Sequence, residues 1–387
     1  LTSQMSNISA GDSSSSDDEG RSRRCRQQQQ LPDMEKFSAQ LTKYCRRVLT
    51  CLPSHCSGYD QNRLVFAWFA ISTMDMLDRT QELNRQEIID WVYSLQILPS
   101  SGRPVANCGF RGAPLLGSPA DPHLDAENPL PYDASHLTMV FAGLGILLML
   151  GDDLQRVDRD AVLSGVAALQ TPAGCFTAGK FAPESDLRFV FSACVSCYYL
   201  NDFTKIDVDR SVAFLLACQT YEGGFGQRPG SEAHGGSTFC AIASLKLLGR
   251  LDSALPADSR QRSRLLRWLC QRQHRGFHGR PYKDDDSCYT FWIGASLAAL
   301  GRANLIDRSA LVEFVFSCYS GMDGGFSKYP GDSADPLHTY LALAGLAALR
   351  LEDERLEPIR PEANITERAH LHMLALHRAA AASAASH

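Results

Sequence analysis

The sequence predicts an all-α protein, an α6/α6 barrel in which six inner helices are ringed by six outer ones, on three observations. A short Gly-Phe step recurs at Phe110, Phe176, Phe225, Phe277 and Phe326, which sets a repeat of about 50 residues. Before each step lies an amphipathic stretch, and after it a stretch apolar on most sides, the patterns of a helix with one wet face and of a fully buried helix. Six stretches of each kind can be placed; pattern alone does not separate a closed toroid from an open solenoid, but the atypical polar repeats that usually cap a solenoid are absent.

Taken in order, the outer helices are predicted at 34–52, 85–96, 159–170, 209–219, 262–273 and 309–320. The inner ones are predicted at 63–77, 136–150, 187–200, 237–248, 287–300 and 338–350. A glutamine six residues before the phenylalanine (Gln170, Gln219, Gln271) marks three of the repeats. A Gly/Pro-rich insertion between Gly112 and Pro131 swells the first repeat. Residues 1–32 carry a run of serines at Ser13–Ser16, an acidic cluster at Asp17–Glu19, a basic one at Arg21–Arg26 and a run of glutamines at Gln27–Gln30. Such a segment buries too little apolar area to offset its ordering entropy and reads as a disordered tail. The start at Leu1 reads as a trimmed terminus. The barrel is expected over 33–372, and 373–387, rich in alanine, as a flexible tail.

The chain has 387 residues, 44% hydrophobic and 21% charged, with a net charge of −5. This balance supports a large core and excludes nucleic-acid binding through a global basic field. The longest apolar runs, such as Leu144–Leu150, fall well short of the ~20 residues of a membrane span. Thirteen cysteines, an odd number scattered through apolar segments, read as buried thiols in a reducing, cytoplasmic compartment. Cys194-x-x-Cys197 reads as one turn of a buried helix.

In such a barrel the segments leading into the inner helices meet at one mouth. Cys288 and His338 follow their Gly-Phe phenylalanines at nearly equal distance, so they are expected on adjacent inner helices, facing each other, with Asp286 in reach of the same point. Asp, Cys and His form an O/S/N donor set suited to Zn²⁺ with one open position. On pattern alone, a capping aspartate beside a buried cysteine reads equally well. His234 aligns with Asp286 one repeat on. With Arg280, Lys283 and Lys328 it forms a cationic rim that suits a diphosphate, unless these cations simply neutralise Asp284–Asp286. Phe66, Phe69, Phe141, Phe191, Phe291 and Trp292 supply an aromatic lining, and a lumen beneath a cation cluster suits a long hydrocarbon diphosphate.

From about Met34 to Ala369 the chain resembles the β subunits of protein prenyltransferases, especially the type I geranylgeranyl class. The resemblance rests on Met74-Asp-Met-Leu-Asp78, Ile89-Asp-Trp-Val-Tyr-Ser-Leu-Gln-Ile-Leu-Pro99, His234-Gly-Gly-Ser-Thr-Phe-Cys240 and His278-Gly-Arg-Pro281. It implies a toroid of prenyltransferase repeats in which Asp286, Cys288 and His338 hold one zinc ion. It also implies diphosphate contacts from His234, Gly235, Gly236, Arg280, Lys283, Tyr289 and Lys328. Val65, Phe141, Arg188, Phe191, Thr290, Phe291 and Trp292 are implied as isoprenoid contacts, with Phe69 and Leu337 at the pocket for the peptide's last residue. Val65 replaces the tryptophan of farnesyl enzymes and leaves room for a C20 chain. Lys328 replaces an aspartate implicated in Mg²⁺ binding, so Mg²⁺ is expected to be dispensable. Partners implied are a helical α subunit, geranylgeranyl diphosphate and C-a-a-X proteins such as small GTPases, with X mainly Leu. Farnesyl or Rab-type transfer, a terpene-cyclase-like barrel and a non-catalytic scaffold are the alternatives.

Overall fold

A computed structural model describes residues 34–52, 54–99, 104–114, 134–351 and 356–385. The tail expected over 1–32 and most of the insertion after Gly112 lie outside them.

The outer helices are α1 (Met34–Thr50), α3 (Arg85–Ser94), α5 (Arg159–Ala168), α7 (Val208–Ala217), α9 (Arg260–Cys270) and α11 (Arg308–Ser317). The inner ones are α2 (Arg63–Met76), α4 (Leu137–Met149), α6 (Leu187–Tyr199), α8 (Gly235–Leu247), α10 (Tyr289–Ala299) and α12 (Pro336–Leu349). Each lies within a few residues of its predicted range. Neighbouring inner helices pack in sequence, and α12 returns to pack on α2. That contact closes the toroid, a point the repeat pattern left open.

Outer helices start on side-chain caps: Asn84, Asp158, Asp207, Ser259 and Asp307 each accept a backbone N–H from the first turn, satisfying donors the helix leaves free. The Gly-Phe steps pair antiparallel with the chain leaving the outer helix, as β1 (Gln96–Ile97) with β2 (Gly109–Phe110) and β5 (Tyr319–Ser320) with β6 (Gly325–Phe326). Single bridges join Gln170 to Phe176, Gln219 to Phe225 and Gln273 to Phe277. The repeat glutamine of the fourth unit is therefore Gln273, not the expected Gln271. Gln170 grips both backbone groups of the cap residue Asp207, and Gln273 grips Asp307 in the same way.

Between the second repeat's step and α6 lies a further hairpin, β3 (Thr177–Gly179) with β4 (Ala182–Ser185). The last, β7 (Ile359–Arg360) with β8 (Ile365–Thr366), closes the end of the barrel where inner helices finish. There Tyr199, the last residue of α6, donates its hydroxyl to Ala363 O at 2.6 Å. Helix α13 (Glu367–Ala385) follows. It buries Met373 completely, and His377 Nε2 bonds Tyr199 O at 2.9 Å. The expected tail boundary at 372/373 thus falls inside a docked helix. Met373 finds apolar contact there, and alanine, the best helix former, continues the last turns.

Candidate functional site

Four of the segments entering the inner helices share one register at the mouth. His136, His234, Asp286 and Asp335 each donate a backbone N–H to the carbonyl of the preceding Gly-Phe phenylalanine (Phe110, Phe225, Phe277 and Phe326). Asp286 is thus the repeat counterpart of His234, as expected, and also of Asp335. Cys288 corresponds to Leu337 and His338 to Tyr289, so the expected equivalence of Cys288 and His338 is one residue out. Proximity comes instead from the adjacency of α10 and α12.

The ligand-type atoms of Asp286, Cys288 and His338 lie within 4.8 Å of one another. Asp286 and Cys288 are buried. His338 Nδ1–H donates to Asp335 Oδ2 at 2.5 Å, leaving Nε2 toward the cluster, 3.4 Å from Asp286 Oδ1. Asp335 Oδ1 also accepts the His338 backbone N–H at 2.9 Å and so starts α12. Sequence reading assigned Asp335 no role, although its place three residues before His338, ahead of a proline at N1, is a cap signal. Burial raises the Asp286 carboxyl, but the adjacent His338 imidazole and hydrogen bonds around Cys288 hold it below the usual range. Burial and the Asp286 charge push the Cys288 thiol up. A carboxylate, a thiol and an oriented imidazole in one dry cluster fit a soft-to-borderline divalent cation such as zinc.

Beside this cluster, Gly236 donates its N–H to His234 Nδ1 at 3.1 Å. The neutral ring therefore carries its proton on Nε2 and donates to the Tyr289 oxygen at 2.9 Å, which frees the Tyr289 O–H to donate elsewhere. Burial, then the Arg280 charge, holds His234 down at about 4, so it is neutral at pH 7. Arg280 is half-exposed and ion-paired with Glu232 at 3.0 Å, while Lys283 is exposed. Burial presses the Lys328 ammonium down, but the Asp286 charge together with Tyr329 and Cys288 outweighs it and holds the group above its usual value. Gly235 and Gly236 are the glycines expected to contact the anion. Both amides are engaged, Gly235 N donating to Gly279 O at 2.9 Å and Gly236 N to His234. Gly235 and Gly279 make room: a Cβ on Gly235 would lie 2.9 Å from the Tyr289 ring, and one on Gly279 about 2.2 Å from its hydroxyl.

Behind the cluster a cavity of about 840 Å³, including open solvent at its mouth, enters the barrel. Val65, Phe69, Phe141, Arg188, Phe191, Trp292 and Leu337 line it as expected. Thr290 and Phe291 do not. Thr290 packs against the backbone of α12 at Gly345, and Phe291 against Phe239, Trp292 and Tyr340, because their positions on α10 face the neighbouring inner helices. Trp68, Tyr340 and Asn364 also line the cavity. The first two sit on predicted inner helices, whereas nothing local in the sequence points to Asn364. Arg188 is held by Asp186, at 2.6 Å, and by Glu184. Cys194 and Cys197 are buried on α6, as expected of one helical turn.

Donor cluster, cationic rim and apolar lumen on an α–α toroid define a class, and the comparisons agree with it. Residues 37–365 match the prenyltransferase alpha-alpha toroid domain. The chain belongs to that family. It is 38% identical to the geranylgeranyl transferase type-1 subunit beta of Dictyostelium discoideum, over 85% of this chain and 95% of that one. The Arabidopsis thaliana subunit of the same name is 37% identical, over 82% and 86%. The Candida albicans protein geranylgeranyltransferase-I complexed with GGPP shares the fold, with TM-score 0.75, 24% identity and 88% and 98% coverage. Within the family, then, the chain falls among the type-1 geranylgeranyl transferase β subunits. Among the described residues no helix is long and apolar enough to cross a membrane.

Proposed function

We propose that this chain is the catalytic half of a cytoplasmic heterodimer that transfers a geranylgeranyl group from its diphosphate to the cysteine of a C-terminal C-a-a-X sequence, with X mainly Leu. One observation carries the reading: an Asp286–Cys288–His338 donor set at the mouth of a largely apolar cavity. Zn²⁺ held by these three residues would lower the pKa of an incoming thiol toward neutrality. Asp335 keeps His338 aimed at the cluster. Negative charge grows on the departing diphosphate, and Lys328, Arg280, Lys283 and the freed Tyr289 hydroxyl supply charge and donors for it at the same mouth. Lys328 takes the place of Mg²⁺. Apolar walls at Val65, Phe141, Phe191 and Trp292 favour a hydrocarbon chain over water.

The partner has support from the surface. Tyr221, Met322 and Tyr282, each almost fully exposed, project from loops at the mouth end, where an α subunit would complete the cleft. The free thiols, mostly buried, support a reducing compartment. The test is co-expression with a type I α subunit, followed by zinc analysis and C20 transfer to a Leu-ending peptide. About one zinc per heterodimer is expected, with transfer lost in Cys288→Ala. A zinc-free heterodimer, or full transfer by Cys288→Ala, would sink the reading.

A further inference from the structure

We infer that Asn364, held in place by Tyr340, is the chain-length stop of the lipid cavity. It would be a specificity-determining residue delivered by the C-terminal hairpin rather than by a barrel helix. The inference rests on the lipid-transfer reading above. The cavity runs as one space from Arg188 and Gly236, in the first turns of α6 and α8, to Asn364. Asn364 enters from the opposite end, since its neighbour Ala363 accepts the hydroxyl of Tyr199 at the last residue of α6.

The residue is rigidly fixed. It is 4% exposed, its φ of 58° lies in the left-handed region that asparagine tolerates better than most residues, and its Oδ1 accepts the Tyr340 hydroxyl. Tyr340 cannot retreat, because its ring packs on Trp68 and Phe69 with centroids 4.6 and 5.7 Å away. Below, Thr366 Oγ1 and the Arg368 guanidinium both bind the fully buried Asp75 on α2, which anchors the hairpin to the barrel.

A hydrocarbon end that reaches Asn364 meets an amide it must desolvate without offering a hydrogen bond. Walls of aromatic rings accept further methyl groups, whereas a fixed polar floor refuses them. Length is then read by an unfavourable contact at the bottom rather than by attraction along the sides. Tyr340 acts as a positioning residue, since it holds the amide across the end of the space.

The experiment uses the heterodimer and compares kcat/KM for C20 and C25 diphosphates on one Leu-ending peptide. Asn364→Gly deletes the side chain while keeping the left-handed backbone, and Tyr340→Phe removes the hydroxyl but keeps the ring. The C25-to-C20 ratio is expected to rise by about 10-fold or more in Asn364→Gly, and by about 3-fold in Tyr340→Phe. Ratios within about twofold of wild type in both variants, at unchanged melting temperature, overturn the inference. If Asn364→Gly does not fold, the Tyr340→Phe ratio decides alone. A wild-type heterodimer that transfers no C20 group refutes the underlying reading; one that does, with unmoved ratios, refutes only the inference.

Discussion

Asp335 binds His338 twice, at the backbone N–H and at Nδ1, and asparagine can reproduce only the first of these. Asp335→Asn should therefore leave α12 capped and the melting temperature nearly unchanged, while zinc affinity in a competitive metal-buffer titration falls about 10–100-fold. An unchanged affinity would remove Asp335 from the site. Lys328 gives a second prediction at this scale. Lys328→Asp should lower C20 transfer without added Mg²⁺ by at least tenfold, a loss of ~1.4 kcal/mol of transition-state stabilisation, with partial recovery in millimolar Mg²⁺. Undiminished transfer by Lys328→Asp without Mg²⁺ would mean the ammonium does not carry that charge. Asp286, Cys288 and His338 were legible in the sequence by residue type and by their place at the start of adjacent inner helices, although the register between Cys288 and His338 is one residue out. Asp335 was not, because its function lies in the direction of a side chain.

Helices α4 and α8 share an unusual start. His136 and His234 cap them through Nδ1, which accepts the N–H of Thr138 and of Gly236, and a protonated ring cannot accept. Burial foremost holds both histidines down at about 4 against an ordinary 6.5. Because the folded value is the lower one, their contribution is complete above about pH 6.5 and is lost as pH falls toward 4, where the unfolded chain takes up the protons. Each should cost about 3 kcal/mol by pH 4. The check is the melting temperature of the heterodimer across that window, where His234→Asn, still a good cap, should flatten part of the decline. A flat wild-type profile would contradict the caps. His234 stood out in the sequence as a rim residue, but the use of either histidine as a helix cap did not show, since histidine is not a usual N-cap residue.

At the scale of the whole molecule, the C-terminal segment belongs to the barrel. Ending the chain at residue 372 would remove Met373, which is fully buried, and His377, which bonds Tyr199 O. The loss should be about 2 kcal/mol or more, read as a lower denaturation midpoint, whereas a dispensable tail would leave the midpoint where it is. Ring closure is also a property of this scale. The contact of α12 with α2 joins segments far apart in sequence, and no local pattern encodes it.

By itself the sequence determined the helices, their pairing into repeats and the chemistry offered at the mouth, because periodicity and residue type are local properties. Only the tertiary structure decided that the ring closes, that Gly235 makes space for the Tyr289 ring, that Thr290 and Phe291 turn away from the lumen, and that a hairpin from outside the repeats ends it. Each of these depends on which backbone lies across from which, a relation fixed by packing between distant elements rather than by neighbouring residues.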